Sequence, residues 1–304
     1  MGLSELAVHP DWEVRAAQQE REQRRHLWAM LLVIGGTTLA MAAVEVGRRY
    51  LPDLAWHDFG IQAVSLCAYW AAVVWLAFWK ERNRTALCLA TLGVALTACA
   101  VGNFPLKSGL PATTHLSYSP RTADPRLLWG LGFFLTLPWL FWLYRRYPDA
   151  MRAAGLNAQG LHRQLLWGIL AGAVLSAHLF FTASFSRAPL LYRRDPRYFL
   201  WILGYEAGLQ TWAEELFFRG RLLAFLYDQR AWSFWKAAFV TSGLNLLLYL
   251  PKSEWRTAPL ITLGLLFYTF VAGMIYAFLY RRFRSVWPSF IANLIFDLFA
   301  FVVY

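Results

Sequence analysis

Residues 213–220 read Ala-Glu-Glu-Leu-Phe-Phe-Arg-Gly, two adjacent acids and an arginine inside an otherwise apolar run. Buried carboxylates are suited to general acid–base work. An ionised side chain near the centre of a bilayer costs at least about 2.5 to 3.5 kcal/mol, so each of these residues is a functional candidate. Glu206, Gln210 and Glu214 step by four and share one helix face, to which Arg221 returns seven residues after Glu214. Glu215 and Arg219 form an i,i+4 pair on a neighbouring face, where they can neutralise each other as a clamp. Glu214 then needs another partner.

Two later segments carry matching polar stripes. Ser242, Asn245 and Tyr249 fall on one face of the seventh apolar run, and Ser289, Asn293 and Asp297 on one face of the last. At about 1.5 Å of rise per residue, Glu214, Asn245 and Asp297 reach similar depths in their spans. The economical reading is one intramembrane polar pocket. For Ser242 and Ser289 alone, helix–helix hydrogen bonding at about 0.6 kcal/mol each is the plainer role. Glu214 and Asp297 are too expensive in lipid for that role to suffice. His178, in the fifth run, sits at a comparable depth and is a candidate to turn into the same pocket. Its plainer reading is a histidine satisfied by its local surroundings.

The elements that must hold these residues are helices in a membrane. The chain has 304 residues, 58% hydrophobic and only 15% charged, where a soluble domain carries about 25% charge. Apolar runs at about 27–46, 61–79, 85–101, 127–144, 164–185, 198–224, 233–250, 260–280 and 286–303 are of membrane-spanning length. Period-2 alternation is absent, and open sheet edges cannot face lipid. The expected class is all-α, a polytopic integral membrane protein of about nine transmembrane helices. The longest connection, 102–126, is rich in Pro, Gly and Ser and reads as irregular.

A net charge of +11 raises nucleic acid as a partner. The basic residues, however, cluster in short connectors that anchor helices at lipid headgroups, so no nucleic-acid partner is expected. Their distribution places the N-terminus inside and the C-terminus outside. Residues 1–26 read as a charged cytosolic or interfacial segment rather than a cleaved signal. Residues 27–197 follow as five N-terminal helices, then 198–304 as a separate module. Cys67, Cys88 and Cys99 fall within apolar runs and read as small buried hydrophobes.

The segment Glu-Glu-Leu-Phe-Phe-Arg-Gly resembles the EExxxR first motif of the CAAX protease and bacteriocin-processing family, intramembrane peptidases of the type II CAAX prenyl endopeptidase kind. In that family an FxxxH motif follows on the next helix, and a His-xxx-Asn/Asp motif lies on the last helix after a Ser-x-Trp-Pro-like turn. The corresponding regions here are "VTSGLNLLLYLP" and "RSVWPSFIANLIFD". The alignment puts Asn245 at the Phe position, Tyr249 and Asn293 at the two His positions, and Asp297 at the Asn/Asp position. No histidine follows His178 in the chain, so both family histidines are absent.

The resemblance implies that Glu214 is the general base that activates water, supported by Glu215 and Arg219. Asn293 and Asp297 complete the catalytic set, and Asn245, Tyr249 and His178 are the binding candidates. Tyr249 and Asn293 can donate hydrogen bonds to an oxyanion. Neither replaces imidazole as a base near neutral pH or as a zinc ligand, so zinc is disfavoured and no cofactor is expected. The expected activity is glutamate-type endoproteolysis of a membrane-associated peptide or protein, with maturation or bacteriocin and immunity roles in view. Two rivals stand beside it: a non-catalytic relative that binds a peptide or partner in the same pocket, and a transporter subunit. The expected location is the cell (inner) membrane.

Overall fold

The computed structural model describes residues 10–50, 63–103, 134–185, 203–204, 210–250 and 259–303. Glu206, the long connection from 104 onward and the early part of the predicted fourth span lie outside the described residues. All regular structure among the described residues is helical.

Helix α1 (Pro10–Tyr50) opens on a proline, whose fixed φ suits the first helical position. It runs unbroken through both the charged leader and the first apolar run, so from Pro10 onward the leader continues the first span instead of forming an element of its own. One π-helical turn, Ala63–Cys67, leads into α2 (Ala68–Ala77), and α3 (Arg84–Asn103) returns beside it. Cys67 and Cys99 are buried at that contact, their Sγ atoms 3.8 Å apart. Then come α4 (Thr136–Arg146), the short α5 (Pro148–Ala153) and α6 (Leu161–Phe185). Helix α7 is composite: Thr211–Glu214 continues through the π-helical Glu215–Leu223 and Phe225–Gln229. The chain closes with α8 (Phe234–Leu246), α9 (Pro259–Phe283) and α10 (Trp287–Val303).

Three helical stretches, Val14–Val44, Leu161–Thr182 and Thr262–Phe283, are long and apolar enough to cross a membrane. Shorter apolar helices lie at Ala68–Ala77, Arg84–Ala100 and Trp287–Phe299. The outer faces fit the same solvent. Leu166, Trp167, Leu170 and Val174 on α6, and Leu263 and Phe267 on α9, are exposed. Such continuous apolar surface is a liability in water and is ordinary in lipid.

Helix α7 is the hub, touching α2, α8, α9 and α10. Its π-helical stretch is long for a conformation that usually appears as a single turn, frequently at functional sites. Arg221 lies within this stretch and is engaged by backbone of other helices. Its guanidinium donates to the carbonyls of Leu76 and Ala153, at the ends of α2 and α5, where helix carbonyls lack partners of their own. Arg219 is buried as well, its side chain 1% exposed and paired with Glu215.

Close backbone approaches lock the hub in place. A Cβ on Gly220 would lie 2.0 Å from the Ala154 carbonyl oxygen. The neighbouring Gly155 has φ +97°, a conformation open to glycine, and its carbonyl accepts the Val286 N–H at 2.9 Å. Helix α6 uses the same device against α10. A Cβ on Gly168 would meet the Pro288 oxygen at 2.7 Å, and one on Gly172 the Ile295 Cβ at 2.8 Å. This Gly-xxx-Gly pair lets two helices pack closely where lipid supplies no hydrophobic drive between them. Gly220→Ala is expected to destabilise the protein by about 3 kcal/mol or more, because backbone oxygen must move. Gly243→Ala, with nothing within 4 Å of its added methyl, is expected to be neutral or stabilising by up to about 1 kcal/mol. Apparent Tm in detergent separates the two; equal melting of both variants would remove the close-packing account.

Candidate functional site

The turn Ser285–Pro288 aims the last helix. The Ser285 hydroxyl donates to the Asn157 carbonyl at 2.8 Å and accepts the Trp287 N–H at 3.3 Å, capping the start of α10. Arg284, at φ +52°, pairs with Asp228 at the end of α7. Trp212 on α7 stacks on Phe290 at 4.0 Å between ring centroids and meets Trp287 edge-on at 4.9 Å. These aromatic contacts fix the part of α10 that carries Asn293 and Asp297 against the turn of α7 that carries the acids.

The acids are buried: Glu214 is 3% exposed and Glu215 is 0% exposed. Glu215 accepts from Arg219, Nη1 to Oε1 at 3.0 Å, and the same Oε1 accepts from Asn293 Nδ2 at 3.4 Å. Glu214 has a different partner, the Tyr249 hydroxyl, which donates to its Oε2 at 3.2 Å. Tyr249 stands on the turn that follows α8. Asp297 lies within electrostatic reach of both glutamates. Asn293 is thus bonded to Glu215, and the Tyr249 phenol to Glu214.

Helix α8 carries Ser242, and Asn245 three residues further along. Both are buried, and neither Ser242 Oγ nor Asn245 Oδ1 has a hydrogen-bond partner among the described residues. Ser242 approaches because Gly273 on α9 leaves room. A Cβ there would lie 2.8 Å from Ser242 Oγ and 3.2 Å from Arg219 Nη2.

His178 is held elsewhere. Its Nδ1 is 2.7 Å from the Tyr268 hydroxyl, which also donates to Thr182 Oγ1 at 2.9 Å. The ring sits on an exposed face of α6, and its hydrogen bonds among the described residues go to α9 and not to the acids.

Two aromatic residues join the site that the sequence reading did not single out. Tyr276 on α9 is buried, its ring 5.3 Å from the Arg219 guanidinium carbon. Tyr69 on α2 is fully buried, packs edge-on against Phe217 at 4.8 Å and lies within electrostatic reach of Glu214. Tyrosines in apolar runs look like core by type and spacing, so only the fold exposes their position. Among the described residues, no group of three or more His, Cys, Asp or Glu is arranged to hold a metal ion.

A buried pair of glutamates, a nearby aspartate and one paired arginine is an arrangement for proton transfer and carbonyl polarisation in a dry site. Comparison with known families agrees on the region. A family model, type II CAAX prenyl endopeptidase Rce1-like, matches residues 196–299. These residues are similar to an Rce1-like domain. No curated protein and no solved structure matches the chain. The matched region contains Glu214, Glu215, Arg219, Asn245, Tyr249, Asn293, Asp297 and Tyr276. Tyr69 comes from a helix outside that region, so the wall around Glu214 is shared between the matched region and a helix that precedes it.

Proposed function

We propose that the protein is a glutamate-type intramembrane endopeptidase that cleaves a membrane-associated peptide near the cytoplasmic face. The observation that carries this reading is the buried pair Glu214 and Glu215, with Arg219 bridged to Glu215 and Asp297 within electrostatic reach of both glutamates, in a region similar to an Rce1-like domain. In this reading Glu214 takes a proton from water as the water attacks the peptide carbonyl. Glu215 and Arg219 hold the hub helix in register, and Asn293 orients Glu215. Substrate enters from the bilayer or from the cytoplasmic surface. About nine helices span the cell membrane, with the N-terminus cytoplasmic. The reading uses no cofactor.

A second reading has its own observation. Tyr249 occupies a motif position that is histidine in the family, and its phenol is spent on Glu214. A pocket so arranged suits a protein that binds a peptide or partner without cutting it.

The test uses protein reconstituted in liposomes and two synthetic probes, an S-farnesyl CAAX peptide and the same peptide without the lipid. Cleavage products by mass spectrometry, absent in Glu214→Gln, support the peptidase. Saturable binding of either probe with no cleavage, equal in both forms, favours the second reading. Neither cleavage nor binding sinks both.

A further inference from the structure

Three phenols border the acids, and two of them, Tyr249 and Tyr276, lie within the region similar to the Rce1-like domain and are in different states. The Tyr249 hydroxyl donates to Glu214. The Tyr276 hydroxyl is buried and has no hydrogen-bond partner among the described residues, although it lies within electrostatic reach of Asp297, Glu215 and Glu214. It is therefore close enough to feel the acids and not bonded to any of them. An unmade hydrogen bond at a buried hydroxyl is costly, and a folded protein that tolerates it commonly has a use for the group.

The ring is held firmly. On one side it meets the Arg219 guanidinium at 5.3 Å. On the other it belongs to an apolar cluster with Leu175, Leu179, Ala292 and Phe296. Gly273, one turn earlier on the same face of α9, is the residue whose missing side chain admits Ser242 and Arg219. Helix α9 is thus built to bring this face into the polar cluster, and Tyr276 is the donor it delivers.

We propose that Tyr276 donates a hydrogen bond to the carbonyl oxygen of the bound peptide and stabilises the oxyanion formed there. This rests on the peptidase reading above. Water adds to the carbonyl carbon, its proton passes to Glu214, and the C=O electron pair moves to the oxygen facing Tyr276. The phenol keeps its own proton throughout. As the intermediate collapses the C–N bond breaks, and the proton held by Glu214 passes to the leaving amine. The role assigned is that of a preorganised donor whose value appears only as charge develops.

Tyr276→Phe tests it, because phenylalanine keeps the ring in its apolar cluster and removes only the hydroxyl. Two quantities are read: apparent Tm in detergent, and kcat and KM on the S-farnesyl CAAX peptide in liposomes. The expected result is an unchanged or raised Tm, with kcat down at least about 100-fold and KM little changed. A lowered Tm would show that the hydroxyl serves the fold and would overturn the assignment. Equal kcat in wild type and variant would overturn it while leaving the peptidase reading intact. A wild type that cleaves nothing removes both, and does so at the first control.

Discussion

Glu214→Gln is expected to lower the rate of peptide cleavage at least about 100-fold, the lower range of what a positioned general base supplies, with apparent Tm close to wild type. The structure gives both halves of this expectation. Glu214 is nearly fully buried and its carboxylate accepts the Tyr249 hydroxyl through Oε2. A glutamine keeps the shape and retains a carbonyl oxygen to accept that bond, so the fold loses little. It cannot take a proton from water. Glu214→Asp retains the acid but withdraws it by one methylene, and misplacement on the scale of an ångström is itself costly to rate. The ordering wild type above Asp above Gln, read from initial rates on the S-farnesyl CAAX peptide, identifies base chemistry. Gln at wild-type rate would remove Glu214 from the reaction.

The clamp within the hub helix was readable from spacing alone. Glu215 and Arg219 stand four apart, and the structure closes them at 3.0 Å with both side chains out of contact with solvent. The convergence of three polar stripes was readable too, because acids and amides recurring at helical spacing on apolar bodies have few other places to go. The pairing inside the cluster was not. Asn293 bonds to Glu215 and Tyr249 to Glu214, a choice set by how α8 and α10 pack on α7 and not by spacing within any one of them. Arg221 likewise finds its acceptors, the carbonyls of Leu76 and Ala153, on other helices. His178 illustrates the other limit. Depth in a span is one coordinate, and rotation about the helix axis is another. The axis is set by Gly168 and Gly172 packing on α10, and it turns His178 toward Tyr268.

The helical class followed from composition, since 58% hydrophobic residues in long runs leave a bilayer little alternative to helices. What the residue types hid was which glycines matter. Gly220 differs from Gly243 only in what approaches it, the Ala154 carbonyl against open space. Likewise Tyr69 and Tyr276 differ from the tyrosines of an ordinary apolar core only by facing the acids. Aromatic residues bring a large apolar body and a polar tip, and sequence pattern reports the body.

The largest effect on stability is expected at Arg219. Arg219→Met should destabilise the protein by about 3–5 kcal/mol, the usual result of removing one partner from a buried ion pair. Methionine fills much of the volume beside Tyr276 and Gly273, so the loss would be electrostatic more than steric. Glu215 would be left with Asn293 at 3.4 Å and no counter-charge at Oε1. The double variant Glu215→Leu/Arg219→Met carries no buried charge at either position and is expected to recover most of the lost Tm, as apolar replacement of buried pairs is often neutral or better. That recovery is the informative result, because a residue needed merely for packing would give additive losses instead. It also separates fold from chemistry. If the double variant folds and binds the peptide yet cleaves it poorly, the clamp holds Glu214 in register for catalysis. If it folds and cleaves at the wild-type rate, Glu215 and Arg219 serve the hub helix alone, and the chemistry rests on Glu214, Asp297 and the phenols around them.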